Sequence, residues 1–215
     1  MTANVFELPL RQGVAALGLT LNDTQIAQLL GYHTLIQKWN KVYNLTAIRD
    51  PAEMLTHHLL DSLAIVAPLM RQTSSASVNM LDVGAGAGLP GVVVAICCPQ
   101  ASVTCVDAVA KKMAFVQQVA TELKLSNLKA LHARVETLTD KYDVITSRAF
   151  ATLLDFVTGS RAALKPDTGV WLAMKAKDTS AEVAELPADL NVFHVEQLTV
   201  PGLDAERCIV WMKLQ

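Results

Sequence analysis

An α/β fold is predicted for this 215-residue chain: an open, mostly parallel seven-stranded sheet with an antiparallel last strand, preceded by a helical segment. Three observations predict it. Short, almost wholly apolar runs alternate with helix-length amphipathic ones through the second part of the sequence, the pattern of strands covered on both faces. The first such run, Val78, Met80, Leu81 and Val83, passes directly into Gly84, Gly86, Gly88 and Gly91 and then a helix start, so a strand, a tight turn and a helix are joined there. Hydrophobic residues make up 52% of the chain and aromatics only 5%, which gives an aliphatic core suited to helices layered on a sheet.

The helical segment comes first. From Asn22 to Asn44 the residues Ile26, Leu29, Leu30, Leu35, Ile36, Trp39 and Tyr43 recur near helical spacing, with Asn22 or Thr24 as cap. Lys38 and Lys41 flank Trp39. Basic residues among aromatics suit nucleic acid, but an aromatic pair four apart on a helix is expected in the core. Asp50-Pro51-Ala52-Glu53 reads as a helix start, and that helix should run to about Met70. His57 and Asp61 share its face, and with no third ligand visible they are expected to be a hydrogen-bonded pair rather than a metal site. The polar stretch 71–77 divides residues 1–72 from a second unit, 73–215.

After the glycine turn, an apolar helix over Val92–Cys98 stops at Pro99, and a second strand, 101–106, reaches Asp107. A helix over 111–125 follows. Strands over 128–133, 142–147 and 170–174 come next, with a helix over 152–164 between the last two. Two final alternating runs, 191–200 and 208–214, flank the turn PGLDAER and close the sheet as an antiparallel pair.

The turn is built to cradle a ligand, and two readings compete for it. GAGLPG matches the dinucleotide fingerprint, in which a helix N-terminus receives a pyrophosphate. DVGAGAG, with Asp82 two positions before the first glycine, resembles the first motif of class I S-adenosylmethionine-dependent methyltransferases. A carboxylate at Asp82 repels a pyrophosphate and suits the ammonium of a methionine moiety. Asp107, nineteen residues beyond Gly88, can accept both ribose hydroxyls of either ligand. Arg134, Val135 and Glu136 after the third strand and Arg148 after the fourth share the same sheet edge, with solvated loop positions the alternative. Lys175 and Lys177 can touch phosphate or simply end a strand.

A formal net charge of −2 gives no basic excess, so nucleic acid binding would need a local patch. Cys97, Cys98, Cys105 and Cys208 show neither zinc spacing nor a disulfide framework and are expected as buried apolar residues. No signal core or membrane-length run appears, so a cytoplasmic protein without a metal is expected, acting as a monomer. After the fourth strand the letters are SRAF, without the Pro-Pro-aromatic grip of adenine-amino methyltransferases, and no cysteine sits in the Pro-Cys context of cytosine-C5 enzymes. A ring nitrogen with an in-plane lone pair, such as guanine N7, needs no general base, only placement and tolerance of the cation formed.

The blocks KWNKVYNLTAIRDPAEMLTHHLLDSL and LDVGAGAGLPG, with Arg134 to Glu136 and SRAFA, resemble the bacterial RsmG (GidB) family over nearly the whole chain. The resemblance implies a class I methyltransferase fold, S-adenosylmethionine as donor and a guanine N7 of 16S rRNA in the small ribosomal subunit as acceptor. It implies donor contacts from Gly84, Leu89, Val135, Glu136 and Arg148, with Asp107 on the ribose. Asp82, Gly86 and Gly88 complete the expected donor site. Arg148 and Lys175 are the candidates for placing the target, and Lys38, Lys41, Arg49 and Lys175 for contacting RNA. One departure is Ala176, where the family generally has glycine after the lysine. An NAD-dependent oxidoreductase and an RNA-binding module without activity are the rival classes.

Overall fold

The computed structural model describes residues 4–74, 77–150, 152–176 and 179–215. Lys177 therefore lies outside the described residues. Two helices open the chain, α1 (Glu7–Ala16) and α2 (Asp23–Tyr43). α2 begins with a capping box, in which the Asn22 side chain accepts the Gln25 N–H at 2.9 Å and Gln25 Oε1 accepts the Asn22 N–H at 3.0 Å. It ends at Asn44 in the left-handed conformation, φ 48°. α1 is not predicted from the sequence, because it is short, carries Pro9 in its first turn and buries only Leu10, Gly13 and Val14.

The single helix expected from Asp50 to Met70 is divided. Asp50 caps it as expected, accepting from Ala52 and Glu53 N–H at 2.8 and 3.0 Å. α3 (Pro51–Met54) then passes into a π-helical stretch, Leu55–Leu60, followed by α4 (Asp61–Leu63) and α5 (Val66–Gln72). Such widened turns are frequent at functional sites. The connection from α2 is stitched by Asn40, whose side chain donates to the Ile48 carbonyl at 3.0 Å and accepts the Thr46 N–H at 2.9 Å. Thr46 Oγ1 in turn meets His58 Nε2 at 2.8 Å. These bonds explain why asparagine and threonine stand in the WNKVYNLT block.

The strands are β1 (Asn79–Val83), β2 (Ser102–Asp107), β3 (Leu128–His132), β4 (Val144–Arg148), β5 (Val170–Lys175), β6 (Leu190–Leu198) and β7 (Arg207–Leu214). They form one seven-stranded sheet in the order β3-β2-β1-β4-β5-β7-β6, in which β7 runs antiparallel to both neighbours. The order reverses beside β1, and ligands of open α/β sheets bind at such a switch point. Between the strands lie α6 (Gly91–Cys97), α7 (Ala110–Glu122), α8 (Leu153–Ser160) and α9 (Ser180–Ala184).

Strand alternation divides the core into two. Met80, Val103, Val144, Leu172 and Trp211 face a cluster that also contains Leu29, Ile36 and Leu59 of the N-terminal helices and residues 92–97 of α6. Leu81, Ile145, Trp171 and Val210 face the other side, against Phe156 and Val157 of α8. The N-terminal helices thus share a core with the sheet. Trp39 packs on that core with its ring centroid 5.4 Å from Phe115, while Tyr43, 4.9 Å from Trp39, stays 41% exposed. Only the first half of this aromatic pair is core. The four cysteines are buried. Among the described residues no helix is long and apolar enough to cross a membrane.

Gly88 has φ +89°, and a Cβ there would lie 2.4 Å from Val92 Cγ2 and 3.2 Å from Val116 Cγ2. Replacing it with alanine combines overpacking with a disfavoured φ and should cost about 2 kcal/mol of stability, read from the urea midpoint. An unchanged midpoint would show that the turn relaxes freely.

Candidate active site

The turn after β1 is pinned by carboxylates at two points. Asp107, at the end of β2, accepts the Gly86 N–H at 3.1 Å and Lys112 Nζ at 3.3 Å on Oδ2, and the Val109 N–H at 2.8 Å on Oδ1. A carboxylate has about four acceptor positions, so at least one remains for a ligand hydroxyl. Asp82 accepts the Gly91 N–H at 2.8 Å on Oδ2. A Cβ at Gly91 would lie 2.8 Å from that oxygen and 2.5 Å from Cys105 Sγ, so only glycine lets the helix start come this close.

Two cavities open at the carboxyl edge. The smaller, about 210 Å³, is lined by Gly84, Asp107, Val135, Glu136 and Phe150, at the ends of β1 to β3. The larger, about 500 Å³, is lined by His57, Asp61, Arg148, Phe150, Lys175 and Arg207. Phe150 belongs to both walls. Ala149 before it has φ +57°, an uncommon conformation for alanine. Ala176 also lines the larger cavity and is not among the residues with positive φ, so the family's usual glycine is not required for backbone conformation here.

Asp61 is the anchor of the larger cavity. Its side chain is 4% exposed, and it accepts Arg148 Nη1 on Oδ2 and Arg207 Nε on Oδ1, each at 2.9 Å. Arg148 Nη1 also donates to the His57 carbonyl in the π-helical stretch at 2.7 Å. The pairing expected between Asp61 and His57 is therefore replaced, since a buried carboxylate gains more from two guanidinium ions than from an imidazole. His58 is pushed down to about 4 by burial and by Arg148, and so is neutral near pH 7. Lys175 Nζ meets Glu182 Oε2 at 2.7 Å.

The predicted site residues separate accordingly. Gly84, Asp107, Val135 and Glu136 come together at the smaller cavity. Asp82, Gly86, Gly88 and Leu89 do not line it. Asp82 is fully buried on the Met80 side of β1 and supports the turn from beneath through the Gly91 N–H. Leu89 is likewise buried in the core under α6. Arg148 faces the larger cavity, on the far side of Phe150 from the smaller one, together with Lys175. Lys38, Lys41 and Arg49 are exposed, and Lys41 and Arg49 line a separate cavity of about 360 Å³ with Gln37 and Asn40. Sequence reasoning missed Phe150 and Arg207, and it missed the ionic role of Asp61. A lone carboxylate in the apolar run LLDSLAIV was the available signal for a cationic partner.

Burial raises Asp82 to about 7, although the Gly91 N–H opposes the shift, and its Oδ1 has no protein partner. An acid raised in the folded state holds a proton that the unfolded chain has already lost between its ordinary value near 3.8 and about 7. Stability should therefore fall as pH rises through that window. Asp82→Asn removes this dependence, so its urea midpoint should gain on wild type steadily from pH 4 to pH 7. Parallel profiles would show that Asp82 is solvated.

The family model described as rRNA small subunit methyltransferase G matches residues 25–210. A "Ribosomal RNA small subunit methyltransferase G" from Albidiferax ferrireducens is 64% identical, with 96% of each chain covered. One from Acidovorax sp. strain JS42 is 63% identical over 97% of this chain and 95% of that relative. Among solved structures, magnesium protoporphyrin IX methyltransferase from Synechocystis, with bound S-adenosylmethionine, is similar with a TM-score of 0.62 at 15% identity, covering 91% of this chain and 99% of that one. A 16S rRNA N2 methyltransferase from Thermus thermophilus, in complex with the donor and guanosine, has a TM-score of 0.53 at 18% identity, covering 72% of this chain and 43% of that one. The fold is thus that of class I methyltransferases, and on the family match and these identities the chain belongs to the rRNA small subunit methyltransferase G (GidB) family.

Proposed function

We propose that this chain transfers the methyl group of S-adenosylmethionine to N7 of a guanine in 16S rRNA of the small ribosomal subunit, in the cytoplasm. The observation that carries the reading is the pair of cavities meeting at Phe150, one at the ends of β1 to β3 and the other walled by fixed arginines, in a chain of this family. The residues of the smaller cavity fit the donor. Gly84, at φ +65°, lets the backbone approach it, Asp107 has acceptor capacity left for ribose hydroxyls, and Val135 and Glu136 form the opposite wall. When bound there, the donor supplies a methyl group on a sulfonium, electrophilic enough for an unassisted ring nitrogen.

The target base then occupies the larger cavity. Arg148 and Arg207 retain N–H groups beyond those used on Asp61 and His57, and these are suited to guanine O6 beside N7. Methylation leaves a positive charge on the base. Asp61 holds the local arginine charge to a net +1, and the Lys175–Glu182 pair adds none, so the cavity tolerates that cation better than bare arginines would. No side chain is needed to remove a proton. Catalysis then consists of placing N7 in line with the methyl group. Lys38, Lys41 and Arg49, exposed beside the segment whose Ile48 lines the larger cavity, are the RNA contacts in this reading.

Labelled methyl transfer into ribosomal RNA or small subunits from a strain lacking the protein should yield N7-methylguanosine in 16S rRNA, identified by nucleoside analysis. Label at another atom or in another RNA would overturn the acceptor. Replacing Lys38, Lys41 and Arg49 together with glutamine should weaken RNA binding and flatten its salt dependence by about three counterions' worth of slope. An unchanged slope removes them from the interface.

A further inference from the structure

The glycine-rich turn has a third anchor, and it comes from the N-terminal helices. Tyr32 of α2 is fully buried, and its hydroxyl donates to the Ala87 carbonyl at 2.7 Å. Ala87 lies between Gly86, bonded to Asp107, and Gly91, bonded to Asp82. Ala87 is itself buried, and no backbone N–H among the described residues bonds its carbonyl. Burial holds the Tyr32 hydroxyl well above its ordinary titration range, so it remains a donor. Its ring is held against Phe115 of α7, with centroids 6.4 Å apart and 26° between planes. The hydroxyl therefore has a defined position.

We propose that Tyr32 is a positioning residue of the donor site: its hydroxyl holds the Ala87 carbonyl, and with it the turn from Gly84 to Gly91, in the shape that receives S-adenosylmethionine. The inference rests on the functional reading above. Without the hydroxyl, the buried carbonyl is unsatisfied and the turn moves to meet another donor. Ligand binding must then reverse that movement, which lowers apparent affinity by the fraction of chains still in the competent shape. Helix α2 thus acts on donor binding from behind the turn, without touching the cavity.

Tyr32→Phe in the full chain keeps the ring and removes only the hydroxyl. Titration calorimetry with S-adenosylmethionine should show Kd raised about tenfold, while kcat at saturating donor and KM for ribosomal RNA stay at wild-type values. Leu29→Ala, on the same helix and fully buried, is the control: it should lower the melting temperature at least as far and leave donor Kd unchanged. Wild-type donor affinity in Tyr32→Phe overturns the inference, as does an equal loss in Leu29→Ala, which would mark a general effect of stability. If Tyr32→Phe does not fold, Phe115→Leu, which loosens the ring that sets the hydroxyl, decides against the same control: weakened donor affinity supports the inference, and wild-type affinity overturns it. A wild-type chain that binds no S-adenosylmethionine overturns the functional reading itself.

Discussion

The glycine-rich turn keeps its shape because polar groups from three different elements are bonded to its backbone. Asp107 from β2 takes the Gly86 N–H, Asp82 from β1 takes the Gly91 N–H, and Tyr32 from α2 supplies a hydroxyl to the Ala87 carbonyl. Glycines make the path possible by removing side chains from it, but permissive residues do not choose one conformation. The bonds choose it. They also fix the order of layers, since α2 must lie over α6 and α7 for Tyr32 to reach the turn.

A second constraint joins the helical segment to β4 and β7. Asp61 stands in the N-terminal helices, yet its partners come from the ends of β4 and β7. Buried ion pairs add little net stability compared with apolar packing, but breaking one partner leaves a costly charge behind. The arrangement thereby specifies one relative placement of three chain segments, and those segments enclose the larger cavity. The π-helical stretch contributes to the same end, since it presents the His57 carbonyl to Arg148.

Much of this was legible in the residues. Apolar runs marked the strands because a sheet covered on both faces needs nonpolar side chains in both directions, and the cap at Asn22 and the start at Asp50 carried their own hydrogen-bonding chemistry. Asp107 was legible from spacing, because a βαβ unit places the end of its second strand at a set distance from the turn. The same spacing could not choose between two nucleoside ligands. Family membership, carried by the N-terminal block as much as by the glycines, made that choice.

Other contacts could not be read from the residues alone. Asp82 alternates with Leu81 and Val83 on a strand covered on both faces, so its side chain enters the layer beneath the turn and serves as structure. Arg207 reaches the ligand edge because β7 inserts antiparallel beside β5, bringing its first residue next to Lys175, and no local pattern encodes which neighbour a strand will take. The amino-acid sequence by itself determined the strands, the caps at Asn22 and Asp50 and the turn, since these depend on residues a few positions apart. Only the tertiary structure decided which charges meet, that Phe150 stands between two cavities and that a tyrosine more than fifty positions away holds the turn, because those contacts arise when layers pack.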